Sequence, residues 1–245
     1  MIYQGTEANT HYYVTEIQTS SFNRSNDNNM YVGYMYESNQ VHGLTSNSTI
    51  KGILDTWYQN NLSNVYSKID GNAGFCGDRQ PSTSNTISNG LGGTGTTYTF
   101  YGAYIRLDTN KAPTYECASD SDLYTTIGSE NGNGALTYPI GLITADEVML
   151  AGNMGGFFDG AYNYQKETPN SYITTGDYFW TMTPSGYYNT LGSSSWDAVP
   201  FSVSYTGKLN DSSTYFEMGL RPVINIRNDV TVTGEGTMQN PYKFN

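Results

Sequence analysis

The 245-residue chain carries 11 Lys and Arg against 22 Asp and Glu, a formal net charge of −11, and is 37% hydrophobic but only 13% charged. That balance excludes a nucleic-acid binder working by phosphate neutralisation, and adhesion to an anionic membrane surface. Its 23 Tyr and 27 Gly, set among abundant Asn, Ser and Thr, exclude a disordered chain and an Ala/Glu/Lys/Leu-rich bundle; they suit short strands with long polar connections.

In chain order, the first apolar-aromatic runs are Tyr12-Tyr13-Val14 and Met30 to Tyr36, the second expected as a strand after a polar loop from Ser20 to Asn29. A helix is expected from Ser48, a suitable N-cap, with Ile50, Ile53, Leu54, Trp57 and Leu62 on its apolar stripe and Lys51, Asp55, Gln59 and Asn60 away from it. Ser82 to Thr97 is a Ser/Thr/Asn/Gly tract read as a surface loop, and Tyr98 to Leu107 returns to strand-like content. The run Leu136 to Ile143 leads into a short helix, Thr144 to Ala151, marked by a Thr144-x-x-Glu147 capping box and a Gly152 stop. After a loop from Asn153 to Asp177, the C-terminal third reads as all-β. Strands are expected at Tyr178–Met182, at Ala198–Tyr205, where Val199, Phe201, Val203 and Tyr205 alternate onto one face, and, with an interior Pro222, at Gly219–Ile226. Val230 and Val232 then precede a turn at Gly234 to Gly236, and Tyr242 and Phe244 close the chain. Without a sharp change of composition or a repeat, residues 1–245 are expected to form one domain.

Catalytic signatures are sparse. Gly90, Gly92 and Gly95 match G-x-G-x-x-G, but no strand-to-helix context surrounds them, so no dinucleotide site follows. P-loop, nucleophile-elbow and H-E-x-x-H motifs are missing, and neither His11 nor His42 sits in a triad-like setting. Asp120-Ser121-Asp122 lacks the Gly and distal Glu of a calcium loop, and Asp146-Glu147 is explained by acids in a helix's first turn. No metal or other cofactor is expected, and the chain is read as a non-enzyme. Cys76 and Cys117 form one disulfide in a secreted chain or two buried thiols in a cytosolic one; the extracellular character of the composition favours the disulfide. No signal peptide or membrane span is visible, so the chain is read as a mature ectodomain without its targeting segment.

The candidate ligand-binding residues cluster near the C-terminus: Tyr187, Tyr188 and Asn189, then Ser195, Trp196 and Asp197, then Tyr215, Phe216 and Glu217. They mix aromatics with small polar residues in segments expected to be loops between strands, where binding residues concentrate. The mixture is that of antibody binding loops.

Four segments carry a family resemblance. They are Phe75-Cys76-Gly77-Asp78-Arg79, the stretch Leu136 to Gly152, Phe179-Trp180-Thr181-Met182-Thr183-Pro184 and Gly219 to Ile226. Together, and over residues 30–244, the chain resembles a family of domains on surface and pilus-associated proteins of Gram-positive, often gut-dwelling, bacteria. That family is similar to the C-type-lectin and formylglycine-generating-enzyme superfamily. The resemblance implies an α+β fold of two helices followed by twisted antiparallel sheets with long loops. It implies no formylglycine chemistry, since no cysteine follows Cys117, and the calcium motif of sugar-binding lectins has no match. Variable proteins of diversity-generating retroelements share the fold, and adenine-directed mutation of Asn codons yields the Tyr, Ser, Asp and Asn found between Ser185 and Glu217. The expectation is therefore an extracellular, cell-surface adhesion module at a pilus tip or diversified by a retroelement. Its partner would be a protein or glycan on a host, bacterial or phage surface, with no nucleic-acid partner and no direct membrane insertion. The alternatives are a structural pilus subunit and a carboxylate-dependent glycan-active enzyme.

Overall fold

The computed structural model describes residues 2–4, 10–13, 16–38, 40–82, 99–129, 132–152, 173–174, 176–189, 196–235, 240 and 242–244. The fold is α+β, and two sheets carry most of its order. Their strands are β1 (Ile2–Gln4), β2 (Thr10–Tyr13), β3 (Gln18–Ser21), β4 (Thr99–Phe100), β5 (Phe179–Asn189), β6 (Trp196–Val203), β7 (Leu209–Asp211), β8 (Glu217–Leu220) and β9 (Val223–Ile226). The larger sheet runs β7-β6-β5-β8-β3, with β4 on the far end of β5. The smaller one runs β1-β2-β9.

The long β5–β6 hairpin is the spine. It pairs antiparallel from Phe179↔Val203 to Asn189↔Trp196, with the register shifting on either side of Pro184↔Pro200. Proline has no N–H to give the ladder, so two prolines facing each other are tolerated only where the ladder is already irregular. Every residue of β6 from Asp197 to Val203 is buried, so Val199, Phe201 and Val203 do not face a core across from a solvated side. The two central strands, β5 through Tyr187 and β6 from Asp197, are covered on both faces.

The expected strand Gly219–Ile226 is two strands in two sheets. β8 pairs with β5 in parallel and β3 in antiparallel fashion, whereas β9 pairs with β2 and bridges Gly141. Pro222 lies at the break. It ends the first ladder by removing a donor and lets the chain enter the second. Beside it, the Arg221 guanidinium lies 4.4 Å from the Phe179 ring centroid and donates to the Ile173 carbonyl at 2.6 Å.

Two helices start where the sequence signals place them, and the second also stops there. α1 is Thr49–Asn61, with the Ser48 hydroxyl accepting from the Lys51 N–H. α2 is Ala145–Leu150, with a complete Thr144/Glu147 capping box and Gly152 beyond its end at φ +92°. The buried face of α1, however, is Ile50, Lys51, Leu54 and Tyr58, with Ile53 and Trp57 half-exposed at its margin. Lys51 thus departs from the exposed position expected. It is buried beneath the Tyr34 ring, with Asp55 2.6 Å away as its counter-ion. Gly52, on the outer face, meets no atom within 4 Å of an added Cβ.

Two expected strands are largely something else. Met30–Tyr36 begins as a 3-10 turn, Asn29–Val32, and only Met35–Tyr36 pairs, with Ser46–Asn47. The Asn28 side chain accepts the Met30 N–H, and this local bond competes with a ladder. Tyr98–Leu107 keeps only β4 as strand, then coils into one helical segment over 102–109 with a π-turn from Ile105 to Thr109. Ala103 and Leu107 are buried at helical spacing, and Arg106 is drawn inward by two carboxylates.

One apolar cluster joins these parts, with Phe22, Ile50, Leu54, Phe75, Tyr124, Ile140, Trp180, Phe201 and Val223 among its members. A small satellite core contains Val32, Tyr101, Tyr187 and Ala198.

Candidate functional site

The nine residues singled out near the C-terminus do not form one surface. Tyr187, Tyr188 and Asn189 lie in β5, and Trp196 and Asp197 in β6, where Tyr187↔Ala198, Tyr188↔Asp197 and Asn189↔Trp196 are ladder pairs. The expectation of exposed loops fails here because the hairpin continues seven residues past Met182. Tyr187 is buried; it plugs the satellite core against Trp196 and donates its hydroxyl to the Asp27 carbonyl at 2.8 Å. Asp197 is also buried, accepting from the Ser213 hydroxyl at 3.1 Å and from the Asn26 amide. Trp196 is half-buried. The Asn189 side chain and the whole of Ser195 lie outside the described residues.

Tyr188 belongs to a polar pocket inside the fold. Its ring stacks on Phe100 with centroids 5.3 Å apart, and its hydroxyl donates to the Asp211 carboxyl, which also accepts from the Ser185 hydroxyl at 2.9 Å. Enclosure of this carboxyl pushes the Asp211 pKa up to about 6, the two hydroxyl donors partly opposing the rise and the Asp108 charge adding to it. Burial together with the Asp211 charge pushes the Tyr188 phenol far above its ordinary value. Residue Asp211 as a whole keeps some exposure, but its carboxyl is enclosed by these partners.

The last three candidates are exposed. Tyr215 and Phe216, at 52% and 47% relative exposure, hold their rings 4.5 Å apart, and exposed Glu217 opens β8 beside them. The ridge is fixed from below: Phe216 N–H bonds the Ser213 carbonyl, Asn23 N–H bonds the Thr214 carbonyl at 3.2 Å, and the Thr214 hydroxyl bonds the Ser25 carbonyl at 2.7 Å.

Around the disulfide, charge takes over from regular structure. Cys76 and Cys117 are bonded, their Cα atoms 5.5 Å apart. The next residues send their side chains to different partners. Asp78, at φ +43°, meets Arg106, which also donates to Asp146 through Nη2 and Nε at 2.6 and 2.8 Å. Arg79, fully buried, binds Asp122 through Nε at 3.2 Å and the Met35 and Gly43 carbonyls through Nη1 at 2.7 and 3.2 Å. Desolvation raises the Asp78 pKa against the lowering effect of Arg106. Each of these carboxylates holds a guanidinium or a backbone N–H, the signature of a structural network. Among the described residues no group of three His, Cys, Asp or Glu is placed to hold a metal ion, and no helix is long and apolar enough to cross a membrane.

A cleft of about 600 Å³ opens beside α1, within the size range of small-ligand sites. α1 supplies Gly52, Ile53, Thr56 and Trp57; the remaining walls include Gln18 of β3, Arg24, Tyr36 and Asn47. Nothing in the sequence pointed to it, because its residues come from four separate segments. The signals available were a glycine inside a helix and an aromatic at the margin of the apolar stripe. Compared with known protein families, with characterised proteins and with solved structures, the chain gives no match.

Proposed function

We propose that the chain is an extracellular, non-enzymatic ligand-binding module of C-type-lectin-like architecture, displayed on a bacterial surface or pilus for adhesion. The observation that carries this reading is the Tyr215–Phe216 ridge: two adjacent aromatic rings, half exposed, on backbone tied to a hydrogen-bonded sheet. Rigid aromatic anchors are what protein and glycan interfaces use as hot spots, since they bring contact area at low entropic cost. The Cys76–Cys117 disulfide supports an oxidising, extracellular setting. The order of two capped helices and a C-terminal antiparallel hairpin supports the lectin-like architecture.

Retroelement diversification would act on a narrower set than composition implied. Varied positions must tolerate replacement, and buried Tyr187 and Asp197 are held by bonds that other side chains would break. Tyr215, Phe216 and Glu217 meet the requirement. A protein and glycan array probed with the wild type and with a Tyr215→Ala/Phe216→Ala variant tests the proposal. Loss of about 2 kcal/mol of affinity, ~30-fold, is expected with an unchanged fold. A partner bound equally by both would remove the ridge from the reading.

A further inference from the structure

The α1 cleft shares no residue with the aromatic ridge and makes a separate case. Its walls combine two aromatic side chains, Trp57 and Tyr36, with amide and hydroxyl groups from Gln18, Asn47 and Thr56. Flat apolar rings beside hydrogen-bonding side chains match a pyranose, which has a C–H face and a hydroxyl edge.

Arg24 adds charge. Of the chain's five arginines, Arg79, Arg106, Arg221 and Arg227 have hydrogen-bonded guanidinium groups. Among the described residues nothing engages that of Arg24, which lines the cleft. An unpaired fork of N–H donors is a carboxylate receptor by geometry. Among the described residues no Asp or Glu lines this cleft to compete for it. At net charge −11 the protein repels polyanions at long range, but a single carboxylate entering within a Debye length of Arg24 feels mainly that guanidinium.

Gly52 is the third observation. It lies inside α1 on the cleft wall, where a Cβ would meet nothing within 4 Å and φ is not positive, so neither sterics nor backbone conformation demands glycine. A bare helix backbone is explained if something else occupies the space.

We infer that the cleft beside α1 is a binding site for a saccharide bearing one carboxylate, with Trp57 and Tyr36 as the platform for the sugar ring and Arg24 as the carboxylate partner. A heteronuclear NMR titration tests it with a panel of uronic acids and N-acetylneuraminic acid, alongside a neutral methyl glucoside and a sulfated glucose. The expected result is saturable shifts at Gly52, Thr56 and Trp57 for at least one carboxylated sugar, with Kd about 1 mM or tighter and ~10-fold weaker binding of the neutral and sulfated probes. Arg24→Gln should reduce the carboxylated sugar to the neutral level, and Gly52→Gln, whose side chain enters open space, should block every probe. Both variants should keep the wild-type spectrum outside the cleft. Silence from the whole carboxylated panel overturns the inference. So does equal binding of the neutral or sulfated sugar, or a carboxylate preference that survives Arg24→Gln. Because ridge and cleft are read by different variants, failure at one leaves the other standing.

Discussion

The segment from Asn29 to Glu147 and the β-strands between Phe179 and Ile226 are both well buried, yet they are held by different means. The first has few backbone ladders. Among its described residues the ladders apart from β4 are three two-residue ribbons, Met35–Tyr36 with Ser46–Asn47, Phe75–Cys76 with Leu123–Tyr124 and Gly128–Ser129 with Gly132–Asn133. Its interior instead holds Lys51, Asp78, Arg79, Asp122, Asp146 and Glu147, together with the disulfide. In the second, backbone ladders run along long strands, and the buried polar groups are mostly hydroxyls: Thr181, Thr183, Ser185, Ser202, Ser213 and Thr214. Where chain segments cannot bond each other through regular ladders, an arginine reaching several carbonyls at once does the same work. Its fork satisfies acceptors on separate segments that no shared register could bring together.

The sharpest way to break this contrast is Arg79→Ala. The substitution leaves Asp122 fully buried without its guanidinium and frees the Met35 and Gly43 carbonyls in the interior. Removing one partner of a buried pair costs about 3–5 kcal/mol, and the extra carbonyls place this case at the upper end. Chemical denaturation should show that loss, with Thr181→Val in the sheet as the comparison. That hydroxyl donates to the Phe201 carbonyl at 2.8 Å, and its removal should cost about 1 kcal/mol. Equal losses would mean that the first region does not depend on its ion pairs as described.

The sheet has its own exception in Asp211. A carboxyl with pKa about 6 in the folded chain, against about 3.9 unfolded, is one whose charge the fold disfavours. Below about pH 4 both states are protonated and the contribution is fully present. As pH rises, the unfolded chain releases its proton first, and stability falls until the folded carboxyl ionises, above which about 3 kcal/mol has been lost. Asp211→Asn keeps an oxygen for the Tyr188 and Ser185 hydroxyls but cannot ionise. Between about pH 4 and about pH 8 the variant should therefore gain about 3 kcal/mol relative to wild type. A pH-independent difference would show that Asp211 is already charged in the folded protein. Asp55 and Asp78, also raised by burial, are present in both proteins and cancel in the difference.

What was legible in the sequence follows the same division. Both helix starts were readable because a cap is a local bond: Ser48 to Lys51 and Thr144 to Glu147 lie within one turn. β6 was readable from the alternation of Val199, Phe201 and Val203, though not its burial on both faces. The extension of β5 through Tyr188 was not, because Ser185, Gly186 and Asn189 have turn-forming propensities that β6 and β4 override from outside. The helical segment around Arg106 and the burial of Lys51 were hidden for a related reason. Each depends on a partner, Asp78 with Asp146 or Tyr34 with Asp55, that periodicity does not report. For the candidate site, composition located the exposed Tyr215–Glu217 ridge but also drew in Tyr187 and Asp197, since an aromatic plugging a core and one facing solvent look alike in sequence.

α1 belongs to the first region, its buried face on the shared core and its outer face toward the cleft, and there neither ladders nor ion pairs explain one choice. Gly52 in a helix interior costs about 1 kcal/mol relative to alanine, through backbone entropy alone. Its surroundings return nothing for that cost, because an added methyl would meet no atom. Gly52→Ala should therefore raise stability by about 1 kcal/mol, a rise of several degrees at most in a chain of this size. A methyl projecting into a cleft of about 600 Å³ should narrow it without closing it, in contrast to the blocking expected of Gly52→Gln. The gain is best measured by thermal unfolding beside the Gln59→Ala control on the exposed end of the same helix, where little change is expected. If Gly52→Ala is instead destabilising, the helix wall is in contact with something that the fold itself supplies, and glycine there is structural.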